Sequence, residues 1–136
     1  MMTIDDLTHR VIGMAMGIHR ELGAGFLESV YHRAMEIELA ESGLGFESNV
    51  PLNVFYKGKL VGKFEADVII TAGNLKLLIE LKSCEAISKV HEAQAVNYLA
   101  TTGIEDGLII NLGAKSLEWR HKFRTYRPKS QPQTVA

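Results

Sequence analysis

Cysteine is almost missing from this chain of 136 residues: Cys84 stands alone, so no intramolecular disulfide can form and no cysteine-rich zinc module can be built. No stretch approaches the ~18 consecutive apolar residues that a membrane-spanning helix requires, and no membrane partner is expected. The opening MMTIDDLTHR lacks the basic-then-apolar layout of a secretory signal, which makes a cytoplasmic protein the expectation. Internal repeats are absent, as is any linker long enough to separate two domains. Net charge is only −1, which argues neither for nor against an anionic partner. What is present is ordinary for one globular domain, with 46% hydrophobic and 23% charged residues. A chain of this size buries roughly two-thirds of its unfolded surface and needs no staple. The charge is unevenly spread: residues 1–114 carry 9 basic and 15 acidic side chains, residues 115–136 carry 6 and 1. The resulting +5 segment suits either phosphate attraction or a solvated tail.

Periodicity divides the chain into eight elements. Apolar residues Ile4, Leu7, Val11, Met14, Ile18 and Leu22 recur at helical spacing, with Thr3 or Asp5 as the cap. Gly13 and Gly17 on this helix predict the close approach of another element. A second helix is predicted over 27–42, with Leu27, Val30, Tyr31, Ala34, Ile37 and Leu39 inward. The period then changes to two. Strands are predicted over 50–56, 60–70 and 75–83, with turns at 57–59 and 72–74. A helix follows over 86–102, then a buried strand over 107–112 and an alternating strand over 117–124. The order is ααβββαββ, an α/β sandwich with a mixed sheet. Residues 1–127 form the single domain, and 128–136 are expected to be a disordered tail.

The hairpin over 60–83 is the informative place. If Gly73-Asn74 is its two-residue loop, Ala66, Val68 and Ile70 face Leu81, Ile79 and Leu77. A slip by one residue would oppose apolar to polar faces. Extended to its end, this register sets Asp67 opposite Glu80 and Glu65 opposite Lys82. Like charges placed so close repel, and the arrangement calls for a cation between them. Two candidates stay open on the pattern alone: Lys82, giving a surface salt-bridge cluster, or a divalent metal, for which carboxylate oxygens are suitable hard ligands.

Asp67 followed by Glu80-Leu81-Lys82 resembles the D…(D/E)XK signature of the PD-(D/E)XK nuclease superfamily, with Ala66 where the family name has proline. Gly25-Phe-Leu-Glu28-Ser-Val-Tyr31 resembles the motif of the bacterial GxxExxY proteins, a branch of that superfamily. Gln94-Ala-Val-Asn-Tyr98 is similar to the QxxxY motif of RecB-like nucleases. The similarity runs from about Val11 to Phe123. It implies a restriction-endonuclease-like α/β fold and a nuclease that hydrolyses phosphodiesters with Mg²⁺ or Mn²⁺. Asp67, Glu80 and the backbone carbonyl of Leu81 would hold the metal. Lys82 would orient water or offset charge on phosphorus, and Glu28 and Gln94 would reach the same cleft. Tyr31, His91, Tyr98, Arg120, Lys122 and Arg124 are candidate substrate contacts. Nucleic acid is the implied partner, DNA ahead of RNA, and so small a domain favours a homodimer on a long duplex.

Each residue also has a plainer role. Glu28 suits the first turn of a helix as a carboxylate near the helix dipole. Tyr98 suits core packing. His91-Glu92 is not followed by histidine at Ala95, so no zinc-protease pair exists. Cys84 fits as a small buried residue. The alternation of Arg120, Lys122 and Arg124 fits an edge strand protected from aggregation by its cations. The alternatives to a nuclease are a non-catalytic nucleic-acid-binding or interaction module on the same scaffold, and a metal-dependent hydrolase of another phosphate ester.

Overall fold

A computed structural model describes residues 1–125. The tail expected at 128–136 lies outside the described residues. Eight elements follow in the expected order: α1 (Ile4–Leu22), α2 (Glu28–Ser42), β1 (Gly45–Tyr56), β2 (Lys59–Ala72), β3 (Leu75–Lys82), α3 (Lys89–Thr102), β4 (Asp106–Asn111) and β5 (Glu118–Phe123). The strands form one mixed sheet in the order β1-β2-β3-β4-β5. Every pairing is antiparallel except β3–β4. A parallel pair cannot be joined by a tight turn, and α3 supplies the crossover. Helices α1 and α2 cover one face, where Leu7, Val11, Tyr31, Met35 and Leu39 pack on Val68, Ile70, Leu77, Ile79 and Ile110. Helix α3 covers the other face, with Tyr98 and Leu99 against Leu52, Ala66 and Leu78, and Ala95 against Ile109.

Local chemistry explains the boundaries. Thr3 caps α1 in a reciprocal box with Asp6, worth about 1 kcal/mol. Ser88 caps α3 in the same way, with His91 in the returning position, so the helix begins three residues later than periodicity implies. The loop of the β1–β2 hairpin is Lys57-Gly58, both at positive φ (49° and 76°), the twist that suits a two-residue hairpin turn.

Three expectations are corrected. Helix α2 buries Tyr31, Met35 and Leu39, while Leu27, Val30 and Ile37 are exposed. Its apolar residues occur all round the helix, so the pattern alone could not fix which stripe faces the sheet. Gly13 meets nothing within 4 Å and Gly17 only the Glu38 carboxylate at 4.0 Å, so neither admits a close backbone neighbour. The β2–β3 register is as read from Ala72↔Leu75 to Val68↔Ile79, but the ladder ends there. Ala66–Leu81, Asp67–Glu80 and Glu65–Lys82 are not ladder pairs. The physical reason is a break in alternation at Asp67. Ile69 and Ala66, three apart, both pack on the α3 side, and Asn49 on the neighbouring strand sits at φ 53°.

Candidate active site

Where β2 leaves the ladder, a side chain replaces the strand. Asp67 Oδ2 accepts the Leu81 N–H at 2.7 Å, so the backbone donor freed by the splay is satisfied by a carboxylate. Beside it Glu80 is 5% exposed, and its Oε1 has no hydrogen-bond partner. Burial pushes the Glu80 carboxyl up to about 9; the Asp67 charge and a hydrogen bond to Asp67 add to this, Lys82 opposes it, and Glu28 reinforces it. A buried carboxylate oxygen without a partner costs about 1–3 kcal/mol or more, so this atom requires a proton or a cation.

Leu78, Glu80 and Lys82 alternate on β3 and share the face covered by α3. Lys82 is half-buried, and its carbonyl accepts the Leu112 N–H. Among the described residues no three His, Cys, Asp or Glu side chains gather as a metal cage. Two carboxylates and a backbone carbonyl are nonetheless a donor set of the kind Mg²⁺ takes, with water completing the shell. The orphaned Glu80 oxygen and the adjacent Asp67 fit such an ion.

Glu28 is the first residue of α2 and is exposed. Its position depends on the loop before it. Ser83, just past β3, donates its hydroxyl to the Phe26 carbonyl. The Tyr31 hydroxyl donates to the Gly23 carbonyl at 2.6 Å and accepts the Phe26 N–H at 3.2 Å. Tyr31 is therefore a buried strut behind the loop, and a substrate contact through it is not what the structure offers. Glu28, Ser83, Cys84 and Gly113 line a cleft of about 570 Å³. A larger concavity of about 840 Å³ lies at the other end of β3, around Ile69, Thr71 and Thr102, and holds none of the candidate catalytic residues.

On α3, Tyr98 is 9% exposed, with its ring 5.7 Å from that of Phe64. Burial raises its phenol pKa, and the charges of Glu80 and Asp67 raise it further, which places the ring in the wall of the carboxylate site. Gln94 is half-buried one turn earlier on the same helix face. His91 is committed to the cap, its Nδ1 accepting the Ser88 N–H at 3.1 Å. The cations of β5 are engaged within the fold: Arg120 with Glu118 at 3.3 Å, Lys122 with Glu92 at 3.1 Å, and Arg124 beyond the strand with Glu105 at 3.4 Å. Cys84 is half-buried, and burial pushes its thiol above the usual range.

One residue that anchors the site's loops gave no motif. Asn111 is fully buried at the end of β4, beside Lys82 in the ladder. Its Oδ1 accepts the N–H groups of Cys84 at 3.1 Å and Gly113 at 3.0 Å; its Nδ2 donates to the Cys84 carbonyl at 3.0 Å and to Glu118 at 3.1 Å. The loop that carries Ser83, and through it the Glu28 loop, hangs from this amide. The available signal was an asparagine inside an otherwise apolar strand, a residue that β-propensity disfavours.

Asp67, Glu80 and Lys82 stand where two central strands of an α/β sheet part, and helices cover both faces of that sheet. The chain belongs to the PD-(D/E)XK nuclease superfamily, whose family model matches residues 5–122. The crystal structure of SSO0001 is similar at TM-score 0.55 and 21% identity, over 71% of this chain and 50% of that one. The present chain thus spans about half the length of that protein. An Archaeoglobus fulgidus Hjc, a Holliday junction resolvase from an archaeal hyperthermophile, gives TM-score 0.45 at 17% identity over 71% of each chain. A protein of unknown function, AF1548, gives TM-score 0.43 at 17% identity, over 59% of this chain and 44% of that one. No curated protein matches. The fold is restriction-endonuclease-like.

Proposed function

We propose that this chain is a metal-dependent nuclease of the GxxExxY branch, hydrolysing phosphodiester bonds with Mg²⁺ or Mn²⁺. The observation that carries the reading is the buried, unpartnered Glu80 Oε1 beside Asp67, with Lys82 on the same face. Asp67, Glu80 and the Leu81 carbonyl would hold the cation. The chemistry supplied with such a cation in place is a water of lowered pKa and a polarised phosphate. Asp67 keeps its orientation through the Leu81 N–H, so one of its oxygens is fixed before any ligand arrives. Lys82 places a positive charge where the phosphate gains negative charge, an electrostatic contribution that needs no rearrangement. Glu28 and Gln94 border the same space from α2 and α3 and orient water or phosphate.

The test is cleavage of labelled DNA and RNA strands by purified protein with Mn²⁺ or Mg²⁺. Asp67→Asn and Glu80→Gln should abolish cleavage, and Lys82→Ala should lower it by about 10²–10³. EDTA should silence the wild type. Equal cleavage by all three variants would assign the activity to a contaminant and remove the nuclease reading.

A further inference from the structure

The β1–β2 hairpin runs past the sheet. Strand β3 meets β2 only at residues 68–72, whereas β1 and β2 pair out to Tyr56↔Lys59. The outer part is thus a two-stranded arm. Its side chains are the reverse of what a solvated ribbon carries: Phe55 is 61% exposed, Tyr56 65% and Val61 62%, with Leu60 and Phe64 also exposed. The same stretch carries Lys57, Lys59 and Lys63, and no acidic residue occurs between Glu47 and Glu65. None of the three lysines forms an ion pair with a described residue. Lys57 instead lies over the Tyr56 ring, 5.5 Å from its centre. β5 makes a useful contrast, since its cations are held by Glu118 and Glu92.

We infer that this arm binds a single strand of nucleic acid, stacking unpaired bases on Phe55 and Tyr56 and holding phosphates with Lys57, Lys59 and Lys63. Apolar side chains alone would serve equally for a second copy of the chain. The unbroken positive charge between the aromatics decides for a polyanion with flat faces, because every base offers a π-face and every linkage a phosphate. From Lys59 to Asp67 the strand spans about 26 Å. The path passes Phe64, whose ring touches Tyr98 in the wall of the carboxylate site. A strand laid along the arm is thereby delivered to Asp67 and Glu80. This final step rests on the nuclease reading; the binding does not.

Binding of fluorescent dT20 and of a 20-base-pair duplex, measured by anisotropy in EDTA, separates the two. The wild type should bind dT20 in preference to duplex. Phe55→Ala with Tyr56→Ala should weaken dT20 binding at least about fivefold. Lys57→Gln, Lys59→Gln and Lys63→Gln together should flatten the salt slope by about two units. All five positions are exposed, and unchanged melting curves would show that the variants fold. Unaltered dT20 affinity in the aromatic variant, or loss of a dimer by that variant in sedimentation, would overturn the inference. Arm-dependent binding in a protein that never cleaves would leave it standing and remove the nuclease reading alone.

Discussion

At the scale of single residues, Glu80 and Asp67 have different relations to the fold. Glu80 is raised to about 9 by burial first and by Asp67 second, so in the absence of a cation it holds a proton at neutral pH that the unfolded chain has released. The linkage sign follows. The stability contributed by protonated Glu80 is complete below about pH 4.5 and is lost as pH rises towards about 9, at no more than about 1.4 kcal/mol per pH unit. Metal-free wild type should therefore show a denaturant midpoint that falls between pH 5 and 9, whereas Glu80→Gln should remove most of that fall. A midpoint with the same pH dependence in both proteins would show that Glu80 is not buried as described. Asp67 is also a structural acceptor. Asp67→Asn keeps an oxygen for the Leu81 N–H and should be tolerated in metal-free protein, while Asp67→Ala leaves that donor unpaired at a cost of about 1–3 kcal/mol.

At the scale of elements, the order ααβββαββ was legible because period changes are strong signals: α1 at helical spacing, β2 and β3 at period two, β4 as a continuous apolar run. The hairpin loop at Gly73-Asn74 was legible for the same reason, and it brought Asp67 and Glu80 together on paper. What the pattern could not show was the splay at Asp67, because alternation assumes that a ladder continues until a turn residue ends it. Here a side chain ends it. Nor could a one-dimensional pattern show that Arg120, Lys122 and Arg124 find Glu118, Glu92 and Glu105, since the last two partners lie on or beside another element. Lys57, Lys59 and Lys63 on the arm, by contrast, form no ion pair with a described residue. The anchoring of the loop after β3 is the largest omission. A Cβ at Gly113 would collide with the backbone of Ser83 and Cys84, and Asn111 satisfies both the N–H and the carbonyl of Cys84 in that loop and the N–H of Gly113 after β4. Gly113→Ala should cost about 1–3 kcal/mol by overpacking. Asn111→Ala should cost at least about 2 kcal/mol, since several buried groups lose their partner together. Urea denaturation measures both, and a neutral Asn111→Ala would mean the loop is held by other contacts.

At the scale of the whole molecule, the proposed site joins both faces of the sheet. Glu28 comes from the α2 side, while Glu80, Lys82, Gln94 and Tyr98 come from the α3 side. A ligand that engages this site binds the folded chain and not the unfolded one, and so stabilises it by RT ln(1 + [L]/Kd), about 1.4 kcal/mol at tenfold Kd. For a domain of this size the melting temperature should rise by roughly 3–6 °C. The proton on Glu80 sharpens this prediction, because a carboxyl must release its proton to become a ligand. Below about pH 9 the apparent affinity for Mn²⁺ should climb with pH, by up to tenfold per unit, so the thermal shift at fixed Mn²⁺ should be larger at pH 8 than at pH 6. Asp67→Asn should lose most of the shift at either pH. Glu80→Gln should lose both the shift and its pH dependence, because the amide has no proton to exchange for the cation. Calorimetric scans of the three proteins with and without Mn²⁺ distinguish the cases. A shift that is equal at both pH values places the ion elsewhere on the molecule, and a shift that survives Glu80→Gln does so independently of pH.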